Sequence, residues 1–179
     1  MTSTEPLAEA LMAVSRSMVA LAARSLTAAG VEVTLTQYRV LVLLAGDGPQ
    51  RGATVAKELG VAPSTLTRMC DRLVRRSLVQ RFHRHHDRRS IWLGLTPAGR
   101  DLVGEVMRAR RRQIDALIGA EGLAASPPQL ALLHAFVRAT GELPDAEWWR
   151  RWDVSADPVD GAVAIYSHRT GHAGWAERR

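Results

Sequence analysis

Eight arginines fall within the 22 residues from Arg68 to Arg89, at positions 68, 72, 75, 76, 81, 84, 88 and 89, against two acids, Asp71 and Asp87. This stretch carries +6, the formal net charge of the whole 179-residue chain, so the remainder sums to zero. A guanidinium offers a permanent charge and a fork of donors, and clustered guanidiniums suit the phosphates of nucleic acid through charge attraction, bidentate contacts and counterion release.

Other residue types with chemistry are sparse. The single cysteine, Cys70, excludes an internal disulfide framework and fits a reducing cytosol. A redox role is open to it, but a lone Cys among apolar neighbours is expected to be a small core residue. His83 and His85 share a strand face and His86 follows, yet no Cys or carboxylate set completes four zinc ligands, so no metal is expected. Gly-rich phosphate loops, a zinc-hydrolase helix motif and a Ser/His/Asp spacing are absent, and neither an enzyme nor a cofactor is expected. The composition is that of a globular protein, 46% hydrophobic and 23% charged. With no cleavable leader and no apolar run of about 18 residues, the sequence reads as cytoplasmic, with no membrane partner.

The arginines need elements to hold them. Leu7, Leu11, Val14, Met18 and Leu21 form one stripe of a long first helix that Gly30 ends. Thr34 and Gln37 have the capping-box spacing and open a short helix to about Ala45, with Val40, Leu41 and Leu44 inward, stopped by Gly46-Asp47-Gly48-Pro49. A third helix runs from about Ala53 to Leu59. After Gly60-Val61, Pro63 starts a fourth with Leu66, Met69 and Leu73 inward. That leaves Ser64, Thr65, Arg68 and Arg72 outward, where hydroxyls near a helix start meet phosphates or base edges and Arg reaches guanine O6 and N7. A solvated basic face is the simpler alternative.

Val79 to Arg84 and Ser90 to Leu95 then read as two strands around a charged tip, His85 to Arg89. In the tip, Asp87 can brace Arg89 for the minor groove, or form a turn ion pair of little energy. Arg81, Arg84 and Arg88 are assigned to phosphates. Thr96-Pro97 opens a long helix to about Gly119 carrying Leu102, Val103, Val106, Ile114 and Leu117. Ser126 and Gln129 open a last helix with Leu130, Leu133, Phe136 and Val137, ending near Gly141. Residues 142–179 hold Trp148, Trp149, Trp152 and Trp175 on one short helix from Asp145 to Trp152 and a flexible tail. The tryptophans either pack back onto the helices, the expected outcome, or bind a partner.

Three helices, a recognition helix and a hairpin give the winged helix-turn-helix order. The runs Leu35 to Leu41, Leu59-Gly60-Val61, Ser64-Thr65-Leu66-Thr67-Arg68, Asp71-Arg72-Leu73, Leu78-Val79-Gln80-Arg81, Asp87-Arg88-Arg89 and Leu95 to Arg100 resemble the MarR family of bacterial transcriptional regulators over about residues 5–141. The resemblance implies a mainly helical fold with a small β-wing, the DNA-binding lobe (about 34–96) inserted between dimerisation helices (about 5–29, 97–119 and 127–140). It implies a homodimer on a pseudo-palindromic operator, a repressor role, and a small-molecule effector site between the dimer helices and the lobe. It places the recognition helix on Pro63 to Arg76, which brings Thr67 into the contact set, and the wing's Asp-x-Arg on Asp87 and Arg89. Ala62 departs from the family's frequent Ser and lacks a capping side chain. The alternative function is a nonspecific DNA-binding or interaction scaffold on the same fold. Residues 142–179 are an extension without an assigned role.

Overall fold

The computed structural model describes residues 4–30, 32–84, 87–154 and 162–164, excluding the side chains of 87, 88 and 162–164. The element order is α1 (Glu5–Ala28), α2 (Leu35–Asp47), β1 (Gln50–Arg51), α3 (Gly52–Glu58), α4 (Pro63–Arg75), β2 (Val79–Arg84), β3 (Asp87–Leu95), α5 (Pro97–Ala120), α6 (Pro127–Ala139), α7 (Asp145–Val154) and β4 (Ala162–Ala164). The fold is mainly helical with a small antiparallel wing.

Local chemistry sets the helix starts. Thr34 N donates to Gln37 Oε1 at 3.0 Å while Gln37 N donates to Thr34 Oγ1 at 3.2 Å, the reciprocal box that satisfies two orphan donors of α2. At α5, Thr96 Oγ1 accepts from Gly99 N at 3.0 Å and Pro97 fills the first position. Ser126 N donates to Gln129 Oε1 at 2.7 Å at the start of α6. Ala62 makes no side-chain bond to α4, although its backbone (φ −63°, ψ 145°) has cap geometry.

The core gathers where α2, α3, α4, the wing and the first half of α5 meet. Val40, Leu41, Val55, Leu73, Val79, Val103 and Val106 are buried there. On α4 the buried stripe is Leu66, Cys70 and Leu73, and Met69 is only half-buried. Met69 packs against the core from the edge of this stripe, while the four-then-three step puts the smaller thiol at the helix centre line. Burial pushes the Cys70 thiol up to about 11, against a smaller downward pull from Arg81 and a further small push from Asp71. The core expectation for Cys70 matches this burial.

The sheet order is β1-β3-β2-β4, and every pairing is antiparallel. In the hairpin Val79 faces Leu95, Phe82 faces Trp92 and Arg84 faces Asp87, with an irregularity after Phe82. β3 starts at Asp87, so the strand takes in part of the tip expected to be loop. Two strands were not expected. β1 pairs Gln50 with Leu93 and Arg51 with Trp92, and β4, inside the stretch expected to be a flexible tail, lies along β2.

The apolar stripes of the long helices are only partly covered. Leu21 is buried, but Leu7, Val14 and Met18 on α1, Leu117 on α5 and Leu130, Leu133 and Phe136 on α6 are exposed, and α6 buries no residue. α1 is long and apolar enough by length and composition to cross a membrane, although Glu9, Arg16 and Arg24 interrupt it and leave no unbroken apolar run of about 18 residues. Alanine and the larger apolar residues together surround Arg16 and Arg24, so the apolar character is not confined to a narrow stripe. Trp148 and Trp152 are buried and Trp149 is packed against the core, so these three take the packing expected of them. Trp175 lies outside the described residues.

Candidate nucleic-acid interface

α4 is held by its buried stripe, and that fixes which side chains it presents. Ser64, Thr65, Thr67, Arg68 and Arg72 are all exposed on it, as the helical spacing requires. Thr67 Oγ1 donates back to the Pro63 carbonyl at 2.9 Å, which holds the hydroxyl along the helix. Arg89 is exposed on β3. Asp87 and Arg88 belong to the same strand, but their side chains, and with them the proposed Asp87–Arg89 brace, lie outside the described residues, as do His85 and His86.

Two of the arginines expected at phosphates have partners within the fold. Arg81 Nη1 lies 2.8 Å from Asp71 Oδ1, and Arg81 Nη2 donates to the Thr67 carbonyl at 3.3 Å. Its side chain is 18% exposed, so this guanidinium joins strand β2 to the recognition helix rather than projecting into solvent. Arg84 stacks on Trp92, its guanidinium carbon 3.8 Å from the ring centroid, and that of Arg51 lies 5.5 Å from the same ring. Sequence reasoning named Asp71 but missed its pairing with Arg81, and it missed Arg51 and Trp92 altogether. The charge excess drew attention to the arginines, but the pairings depend on strand register. His83 Nδ1 donates to the Ser90 carbonyl at 2.9 Å, which ties the histidine into the hairpin.

Between α4 and β3 lies a cavity of about 410 Å³, with Arg51, Arg81, Arg89 and Cys70 among its lining residues. A second, of about 580 Å³, opens between α1, α2, α5, α6 and α7, with Tyr38, Arg110, His134 and Trp148 on its walls. Tyr38 Oη and Arg110 Nε are buried there without a hydrogen-bond partner among the described residues. The Arg110 guanidinium carbon is 5.7 Å from the Tyr38 ring centroid. Burial pushes the Tyr38 phenol up to about 12, with Arg110 opposing it.

A family model described as "MarR family" matches residues 33–91. Among solved structures, the fold is similar to RV1404 from Mycobacterium tuberculosis, at 36% identity and a TM-score of 0.72, covering 81% of this chain and 99% of that one. It is also similar to a mutant Escherichia coli MarR complexed with operator DNA, at 22% identity and a TM-score of 0.57, covering 78% and 95% of the two chains, a likeness of fold. By sequence, it is 38% identical over 79 residues to the transcriptional repressor MdtR of Bacillus subtilis. That match takes in 44% of this chain and 51% of the repressor, so the chain spans about half the length of that relative.

Proposed function

The chain belongs to the MarR family, and from that premise we propose that it is a DNA-binding transcription regulator that reads a pseudo-palindromic operator as a homodimer. The observation that carries this reading is the exposed row Ser64, Thr65, Arg68 and Arg72 on a helix whose opposite face is buried, beside a basic wing that bears Arg89. In this reading α4 enters the major groove and the wing lies along the minor groove. Arg68 and Arg72 contact base edges, while Arg84, Arg88 and Arg89 serve the backbone and minor groove, Asp87 bracing Arg89.

Residues 5–141 act as one unit, with 34–96 as the DNA lobe. The exposed apolar residues of α1, α5 and α6 meet the same residues of a second copy. That pairing gives α1 a soluble, cytoplasmic use for its apolar face, and sets two recognition helices about 34 Å apart, one turn of DNA. The resemblance to MdtR supports repression. A small-molecule effector, an acid with an aromatic or apolar body, enters the 580 Å³ cavity, where Arg110 and the Tyr38 hydroxyl supply polar contacts. It releases DNA by favouring a dimer whose recognition helices are wrongly spaced.

The test is selection of bound duplexes from random DNA, followed by affinity measurements on enriched and shuffled sequences over a salt series. The reading expects one inverted repeat to be enriched and held far more tightly than shuffled DNA. Uniform affinity for all sequences, with a common salt slope, would instead identify a nonspecific scaffold.

A further inference from the structure

We infer that α7 is a clamp that fixes the angle between the DNA lobe and the dimer helices, with Trp148 and Trp152 as positioning residues for operator reading. The inference rests on the dimeric DNA-binding function proposed above. α7 follows α6 after Gly141–Pro144 and folds back over α2 and α5. Each of its two buried tryptophans sits in a slot left by a glycine. A Cβ at Gly46 of α2 would lie 2.9 Å from Trp148 Nε1, and one at Gly104, in the first half of α5, would lie 3.0 Å from Arg108 Nη1 and 3.1 Å from Trp152 Cζ2. Glycine weakens a helix interior, so a mid-helix glycine beneath an indole points to a close approach that the fold requires.

The two indoles stack with centroids 5.4 Å apart and planes 28° from parallel, which links α2 to α5 through one rigid aromatic pair. Charged groups surround the pair. Arg151 bridges Asp47 of α2 at 2.9 Å and Glu147 at 3.0 Å. Arg39 of α2 pairs with Glu142, and Arg111 of α5 lies 3.4 Å from Asp145. The Arg100 guanidinium carbon lies 4.0 Å from the Trp152 ring centroid and the group donates to the Trp152 carbonyl.

The two helices that the clamp joins have different roles. Val40, Leu41 and Leu44 of α2 share a core with Leu66 and Leu73 of the recognition helix, so α2 moves with α4. α5 buries Leu102, Val103 and Val106 in that core but leaves Leu117 and Ile118 exposed at its far end, on the surface assigned to the second copy. α5 is thus a lever anchored in the shared core at the Gly104 slot, and the tilt of its far end relative to α2 is set where the two indoles seat. The same extension places β4 along the edge of β2, so it touches the wing as well.

The test uses the full chain, the enriched operator, and operators whose half-site spacer is lengthened by one or two base pairs. Two variants release the clamp: Trp148→Ala with Trp152→Ala, and Gly46→Ala, which fills one slot while favouring helix. The wild type should lose about tenfold or more in affinity on the lengthened operators. The variants should lose operator affinity, treat all spacers within about threefold, and keep dimer mass and random-DNA affinity within about twofold. Trp148→Phe, which retains a ring, should restore part of the discrimination. Spacer discrimination kept at the wild-type level by both variants would overturn the clamp alone. Absence of any preferred sequence for the wild type would overturn the functional reading, and the clamp's role with it.

Discussion

Replacing Arg81 with Ala separates a structural arginine from a phosphate contact. Its guanidinium is 2.8 Å from Asp71 Oδ1 and 3.3 Å from the Thr67 carbonyl, with side-chain exposures of 18% for Arg81 and 40% for Asp71. A hydrogen bond to a charged group contributes about 1.5–3 kcal/mol where it is sheltered. Asp71 is partly in water and regains hydration when its partner is removed, so the expected loss is about 1–2 kcal/mol. For a chain of this size that corresponds to a fall of roughly 2–8 °C in Tm. Asp71→Asn should cost a similar amount, and the double variant should lose less than the sum of the single losses. Random-duplex binding should keep its salt slope, because each phosphate contact removed lowers that slope by about 0.9. A slope lower by about 0.9 with Tm unchanged would refute the structural role and return Arg81 to the phosphate set.

Arg68→Ala should weaken operator binding by about 1–3 kcal/mol, read by titration against the enriched sequence, and leave random-DNA affinity nearly unchanged. An equal loss on both would make it a backbone contact. Ala62→Ser supplies the missing cap of α4 where the backbone already has cap geometry, and should raise stability in urea unfolding by about 0.5–2 kcal/mol. Cys70 should resist alkylation at neutral pH, since burial holds its thiol at about 11. Because that value lies above its ordinary 9.0, the associated stability is fully present below about pH 9 and is lost as pH rises through about 11. A Tm series across alkaline pH checks the sign.

The helices and hairpin were legible because their signals are local. Thr34 with Gln37 and Thr96 with Pro97 mark helix starts within four residues, and the apolar spacing of α2 and of the first half of α5 gives the buried faces directly. Features that depend on pairing across the fold were not legible. β1 is two residues long and exists because Gln50 and Arg51 meet Leu93 and Trp92, which no local period announces. The Arg81–Asp71 link likewise depends on where β2 lies beside α4. Met69 and Cys70 are adjacent on a helix turn and both reach the core, the cysteine fully and the methionine from its edge, as their apolar character and helical phase together require. The tryptophans of α7 were recognised as large apolar groups in need of cover, but the slots at Gly46 and Gly104 appear only when three helices are brought together.

The most direct test of the central claim is sedimentation of the purified chain with and without a duplex bearing the selected inverted repeat. The account predicts two chains per particle in the absence of DNA and two chains on one duplex in its presence. A single chain in solution that binds no duplex at low ionic strength would contradict it.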